Sequence, residues 1–225
     1  MHFYSPCQEM VQAAMELPEK QNVKLFFRHS KRFDNPVNGD YSMLLLTPEG
    51  IETAKEIGKG IDRPLGSCAA SIIRRCSQTI EAVVSGMDKE LCRDFSPDGI
   101  TLSEKLCYVL GDPSPISSGG VGWYEYYHYL QTGNTEGSRG ITLEMETKPI
   151  LDEIFATGGK DGTLDLICSH DSHVVILASA LFDLKTGMHG DNWCRFTEGL
   201  FFWGKRNDFY ASWRGETRHF VNLYC

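Results

Sequence analysis

The sequence predicts an α/β fold: a three-layer sandwich whose central, mainly parallel sheet is flanked by helices, plus a small inserted cap. Three observations predict it. Two apolar runs of strand length, 22–27 (NVKLFF) and 163–168 (TLDLIC), are rich in β-forming residues and read as buried strands. Each stops abruptly at a polar cluster, Arg28-His29 in one case and Ser169-His170-Asp171 in the other. Segments of helical periodicity lie between and after them, the alternation from which open parallel sheets are built. Such sheets bind their ligands outside the carboxyl ends of the strands, so the two polar clusters mark one edge of the sheet as the place for chemistry.

Along the chain, a short amphipathic helix is expected near residues 7–17, before the first strand. Thr47-Pro48 then opens a helix: Thr47 is a capping residue, proline suits the first turn, and Ile51, Ala54, Ile57 and Ile61 follow at helical spacing. Gly58 and Gly60 weaken its end. The stretch 66–70 leads into a second helix over 74–84, placing Ser71 to Arg75 at a strand-to-helix junction, where helix-start N–H groups favour anions. Residues from about 93 to 148 differ from the rest, with Pro97, Pro113, Pro115, Gly119-Gly120 and the aromatic run Trp123, Tyr124, Tyr126, Tyr127 and Tyr129. They are expected to form the cap of a single domain spanning 1–225, the aromatics packing it. A helix returns over 144–155, another continues from 171 to Leu184, and the tail from Phe201 to Tyr224 alternates as closing antiparallel strands do.

The 225 residues suffice for one domain with a substantial core, and 41 % hydrophobic with 23 % charged residues is ordinary globular usage. A formal net charge of -8 opposes a broad nucleic-acid surface, yet an acidic protein can hold a focused basic pocket. The chain has no apolar run of roughly 18 residues, and its first residues lack the apolar stretch of a signal peptide. The expectation is a cytoplasmic protein without membrane contact, its eight scattered cysteines reduced and mostly buried.

The two strand tips each deliver a histidine, His29 and His170. One adds Arg28 and Arg32, the other Asp171. Guanidinium groups bind a phosphomonoester dianion through bidentate, charge-assisted hydrogen bonds, and Arg75 near a helix start is a third such finger. The segment KLFFRHSKRFD resembles the RHGxR signature of the histidine phosphatase superfamily, with Arg28, His29 and Arg32 matching and Ser30 replacing the usual glycine. SIIRRCSQTIEAV resembles the second arginine segment of that superfamily and places Arg75 on its arginine. LICSHDSHVVILASAL resembles the His-Asp segment of the acid-phosphatase branch, at His170 and Asp171. LTPEGIETAKEIGKGI is similar to the helix that follows the first motif. The four matches occur in family order over most of residues 23–184.

The resemblance implies a phosphoglycerate mutase-like fold and hydrolysis of a small phosphomonoester without metal or other cofactor. His29 would attack phosphorus and form a phosphohistidine that water then hydrolyses. Arg28, Arg32, Arg75 and His170 would stabilise the phosphoryl oxygens. The proton donor is Asp171 or Glu104: Asp171 follows His170 as in the acid-phosphatase branch, and incoming phosphate would raise its pKa, whereas Glu104 lies about where the mutase-like branch keeps its glutamate. The alternatives are a mutase of the phosphoglycerate type and a non-catalytic phosphate- or partner-binding relative.

Plainer roles fit the neighbouring residues. Arg74 is expected to make an ordinary ion pair at the helix start. His173 pairs with His170 as HxxH, but without a third ligand at recognisable spacing it is expected to pack in its helix. Cys76 and Cys168 are expected in the core. Glu198 is a turn residue or a substrate contact.

Overall fold

The structure, a computed structural model, describes residues 10–11, 17–34, 41–107 and 123–224. The helix expected near 7–17 falls largely outside them, as do Pro113, Pro115 and Gly119-Gly120. Strands β1 (Val23–Arg28), β2 (Leu65–Ser71), β3 (Thr101–Ser103), β4 (Leu164–Ser169), β5 (Gly199–Lys205), β6 (Asp208–Trp213) and β7 (Glu216–Val221) form one sheet in the order β3-β2-β4-β1-β5-β6-β7. The first four in that order run parallel, and the three tail strands close the sheet antiparallel. The sheet is thus parallel where it carries the two histidines.

β1 and β4 are the central neighbours, paired in register from Val23 opposite Leu164 to Arg28 opposite Ser169. Both are covered on two faces, which is why they read as continuous apolar runs rather than alternating ones. Leu25, Phe27, Leu166 and Cys168 face one core, shared with helices α1 (Pro48–Lys59) and α2 (Arg74–Gly86). Phe26 and Ile167 face the other, shared with α3 (Trp123–Thr132), α4 (Leu143–Ala156) and α5 (Asp171–Phe182). The connection leaving β1 therefore crosses one face and the connection leaving β4 crosses the opposite face. Adjacent parallel strands whose crossovers diverge in this way open a crevice at their carboxyl ends.

Local chemistry agrees with the sequence at several junctions. Thr47 caps α1, its Oγ1 accepting the Gly50 N–H at 3.0 Å. Gly50 is required there, because a Cβ would lie 2.1 Å from the Lys31 carbonyl oxygen. Gly58 is likewise more than a helix weakener: a Cβ would meet the Val83 carbonyl at 1.9 Å, so the glycine lets α1 and α2 pack backbone to backbone. One part of the stretch expected as a cap belongs to the core body instead. Thr101–Ser103 pairs with Ala69–Ser71 as the edge strand β3, and Leu106 behind it is fully buried.

One position breaks the apolar pattern of β1. Lys24 stands opposite Asp165 on β4, and both are buried. The ammonium reaches the carboxylate at 2.8 Å, Asn22 Oδ1 at 2.8 Å and the Thr157 carbonyl. The second Asp165 oxygen accepts the Ser67 N–H of β2 at 2.7 Å, so one buried ion pair ties together three strands. Removing one partner strands the other charge. Lys24→Met is expected to cost about 3–5 kcal/mol in urea unfolding, and Lys24→Met/Asp165→Leu to recover part of that loss.

Candidate active site

His29 follows the last residue of β1 and His170 the last residue of β4, so the parallel register brings the two imidazoles together. Their ring centroids are 5.5 Å apart at an interplanar angle of 72°. His29 is held from both sides of its backbone: its N–H donates to the Ser169 carbonyl at 2.9 Å, and its carbonyl accepts the Thr197 N–H at 3.4 Å. Its ring Nδ1 lies 2.8 Å from the Ser30 carbonyl oxygen. A carbonyl only accepts, so Nδ1 carries the proton and Nε2 keeps its lone pair. Burial lowers the His29 pKa well below the ordinary histidine value, and His170, Arg75 and Arg28 lower it further. The ring is neutral at neutral pH, as a nucleophile has to be.

Ser30, which departs from the glycine of the RHGxR pattern, is accommodated rather than strained. Its hydroxyl donates to the Gly50 carbonyl at 2.7 Å, and its N–H donates to Thr79 Oγ1 at 3.1 Å.

His170 has the opposite electrostatics. Burial works against its charged form, but the neighbouring Cys76 and Cys107 sulfurs more than offset this and hold it up at about 9. Its Nε2 lies 2.9 Å from Ser71 Oγ, at the end of β2, and 3.7 Å from Cys76 Sγ. Nε2–H donates to Ser71, and Nδ1 faces the Arg75 donor; once protonated at Nδ1, the ring would join Arg75 in donating to an anion. Arg75 joins this group from the first turn of α2: Nη2 is 3.4 Å from His170 Nδ1, and Nη1 donates to the Tyr41 carbonyl at 2.7 Å. Its neighbour Arg74 turns outward and makes a bidentate pair with Glu81, at 2.6 and 2.8 Å.

Arg28 donates to the Cys194 carbonyl at 2.8 Å and pairs with Asp171 at 3.0 Å, its guanidinium lying 4.1 Å from the centroid of the Phe196 ring. The buried Nε–H groups of Arg28 and Arg75 have no hydrogen-bond partner among the described residues. Orphan charged donors of this kind are what a bound oxyanion satisfies. Arg32 stands further out: it pairs with the exposed Asp34 at 3.0 Å, and its guanidinium rests 4.9 Å from the centroid of the Tyr41 ring.

Asp171 begins α5, where the helix dipole favours a carboxylate. Burial would raise its pKa, yet Arg28, His29 and the Trp193 indole N–H, 3.2 Å away, bring it down to about 2. In the resting site it is therefore ionised, on the opposite side of neutrality from a ready proton donor. Glu104 occupies a 3-10 turn after β3, which β2 and β4 separate from β1. Its side chain is exposed, and among the described residues no hydrogen bond or ion pair joins it to the histidines. The same turn still reaches the site through other atoms, since the Leu106 carbonyl accepts from Ser169 Oγ at 2.7 Å. His173 packs inside α5, as expected, with Nδ1 2.7 Å from Ser169 Oγ.

The loop 193–198 carries further contacts to the site. Trp193 bonds Asp171, the Cys194 carbonyl holds Arg28, Phe196 lies 5.9 Å from the His29 ring, and the Glu198 carbonyl accepts the Arg28 N–H. The buried Glu198 side chain fixes that loop from within. It accepts the Arg195 N–H at 2.7 Å and grips Arg214 of the β6–β7 turn at 2.7 and 3.2 Å. Only the isolated acidic residue was visible in the sequence; its arginine partner lies sixteen residues on, across a hairpin.

No family model matches the chain, and no curated protein matches it in sequence. Among solved structures it is similar to a mycobacterial glucosyl-3-phosphoglycerate phosphatase, with 15 % identity over 89 % of this chain and 98 % of that one and a TM-score of 0.52. It is also similar to phosphoserine phosphatase from Entamoeba histolytica in complex with 3-phosphoglyceric acid, at 16 % identity, 80 % and 90 % coverage and a TM-score of 0.51. A third, titled mycobacterial hydrolase 2, matches at 17 % identity, 91 % coverage of both chains and a TM-score of 0.51. These likenesses establish that the chain has the phosphoglycerate mutase-like α/β fold expected from its motifs.

The two adjacent arginines should behave oppositely toward an anion. By isothermal titration with inorganic phosphate, Arg75→Met is expected to weaken binding by roughly 10- to 100-fold, the worth of a charge-assisted hydrogen bond, and Arg74→Met by less than about twofold.

Proposed function

We propose that the protein is a histidine phosphatase that hydrolyses a small phosphomonoester through a phosphohistidine on His29. The observation that carries this reading is the hydrogen bond from His29 Nδ1–H to the Ser30 carbonyl, which leaves Nε2 as a neutral, oriented lone pair among arginines. The phosphatases named in two of the fold likenesses support it.

In the first step Nε2 forms a bond to phosphorus as the bond to the ester oxygen breaks. The ring acquires positive charge, which the Ser30 carbonyl and the transferred phosphoryl group stabilise. Arg28, Arg75 and the His170 imidazolium bind the equatorial oxygens, with Arg32 adding charge at the rim, so electrostatics and positioning do most of the work. Asp171 is the preferred proton donor. An arriving dianion competes for Arg28 and sets negative charge beside the carboxylate, and both effects raise its pKa from the resting value. In the second step Asp171 takes a proton from water, whose oxygen attacks phosphorus and releases phosphate and neutral His29. Glu104 stays a rival only if the turn after β3 brings its carboxylate inward. The His170-Asp171 pair favours the acid-phosphatase side of the superfamily.

The wider reading follows the same lines. No metal enters the proposed steps. Among the described residues, Cys68, Cys76, Cys92, Cys107, Cys168 and Cys194 form no disulfide, and a cytoplasmic setting is proposed from the sequence. Among the described residues no helix is long and apolar enough to cross a membrane. The chain is proposed to work as one domain, with the part of 93–148 beyond β3 shaping the mouth of the site.

Steady-state phosphate release tests the reading. His29→Ala is expected to lose more than about a thousandfold in kcat. Equal rates for wild type and variant would sink the proposal. kcat/KM should fall as pH rises through about 9, where His170 loses its proton and the anion loses a charged partner. That alkaline limb should disappear in His170→Asn, at a lower overall rate. A chelator at excess over any trace metal should leave the wild-type rate unchanged.

A further inference from the structure

The rim of the phosphate pocket is built from aromatic rings that touch its charged groups. Tyr41, whose carbonyl holds Arg75, lays its ring against Arg32. Phe196 lies beneath Arg28 and beside His29. Trp193 donates to Asp171, and Tyr124 packs on Trp193 edge to face at 4.8 Å. These rings come from both sides of the sheet. Tyr41 arrives from the β1–α1 connection, whereas Tyr124 is on α3 and Trp193 packs against the core of α3 to α5.

Two of these residues keep much of their surface open: Tyr41 is 49 % exposed and Tyr124 43 %. They belong to a wider concentration. Of the eleven large hydrophobic side chains exposed among the described residues, Phe33, Tyr41, Met43, Leu45 and Ile72 sit in the connections that leave β1 and β2 at the catalytic edge, and Tyr124 reaches the same edge through Trp193 and Asp171. Exposed apolar surface gathered around a charged site marks a ligand wall. Beside Arg32, the described rim offers flat π surfaces with phenol and indole tips, which suit a planar, weakly polar group.

Resting on the phosphatase reading above, we propose that the substrate is a phosphomonoester whose alcohol carries an aromatic ring on, or one carbon from, the ester oxygen, and that Tyr41 and Tyr124 are specificity-determining residues that flank this ring. The phosphoryl group occupies the floor between His29, His170, Arg28 and Arg75. The ring of the leaving group lies at the height of the rim.

The test compares benzyl phosphate with n-propyl phosphate, whose alcohols are similar leaving groups, so that the ratio of kcat/KM reads recognition of the ring. With two aromatic contacts to the ring, wild type is expected to prefer the benzyl ester by roughly tenfold. Tyr41→Ala and Tyr124→Ala should each bring the ratio toward one, mainly through KM, and Tyr41→Phe and Tyr124→Phe should retain it. Equal kcat/KM for the two esters in wild type would overturn the proposal and leave the phosphatase reading intact, and so would a ratio that survives both alanine replacements. Failure of the underlying reading looks different: neither ester would release phosphate above the His29→Ala background.

Discussion

The parallel pairing of β1 with β4 is the constraint on which the rest depends. Because Arg28 stands opposite Ser169, the next residue on each strand is a histidine, and the two rings have no choice but to meet. The crossovers leave on opposite faces, which opens a crevice at the carboxyl ends of these strands. The buried Lys24–Asp165 pair locks the same register near the other end of the two strands. A slip of that ladder would separate the histidines as well as strand a charge.

Placed side by side, the two imidazoles are driven to different protonation states by what surrounds them. His29 is buried among cationic groups, which favours its neutral form; His170 is held by Ser71 and flanked by sulfur, which favours its charged form. One ring then offers a lone pair where the other offers a proton. The arginines complete the field, each fixed by a backbone carbonyl from a different loop: Cys194 for Arg28 and Tyr41 for Arg75. Donors fixed in advance cost no reorganisation when charge develops on a transferring phosphoryl group. The Glu198–Arg214 pair serves this purpose at one remove, since it holds the loop that carries Cys194, Trp193 and Phe196.

Much of this was legible in the sequence because it depends on local signals. The ends of β1 and β4, the Thr47 cap and the outward Arg74 beside an inward Arg75 follow from apolar runs, capping chemistry and motif spacing. The rest depends on tertiary contacts that no local pattern announces. The short strand β3 is exposed at the sheet edge at Thr101 and Leu102, so it lacks the apolar run that betrays a central strand. The contribution of the 193–198 loop arises only when a hairpin arginine reaches Glu198. Asp171 was identified by its neighbour His170, but its resting charge state is set by Arg28 and Trp193, which come from other segments. Tyr41 and Tyr124 become rim residues only through the groups on which their rings and carbonyls rest.

The tautomer of His29 is the point at which geometry becomes chemistry. If Nδ1 is committed to the Ser30 carbonyl, phosphorylation has to occur at Nε2 and nowhere else on the ring. Rapid quenching of the enzyme during turnover of a phosphomonoester, followed by phosphorus NMR and peptide mass spectrometry under alkaline conditions, measures this directly. The account predicts a transient phosphoryl group on His29 attached through Nε2. A phosphoryl group on Nδ1 or on another residue, or turnover with no covalent intermediate, would contradict it.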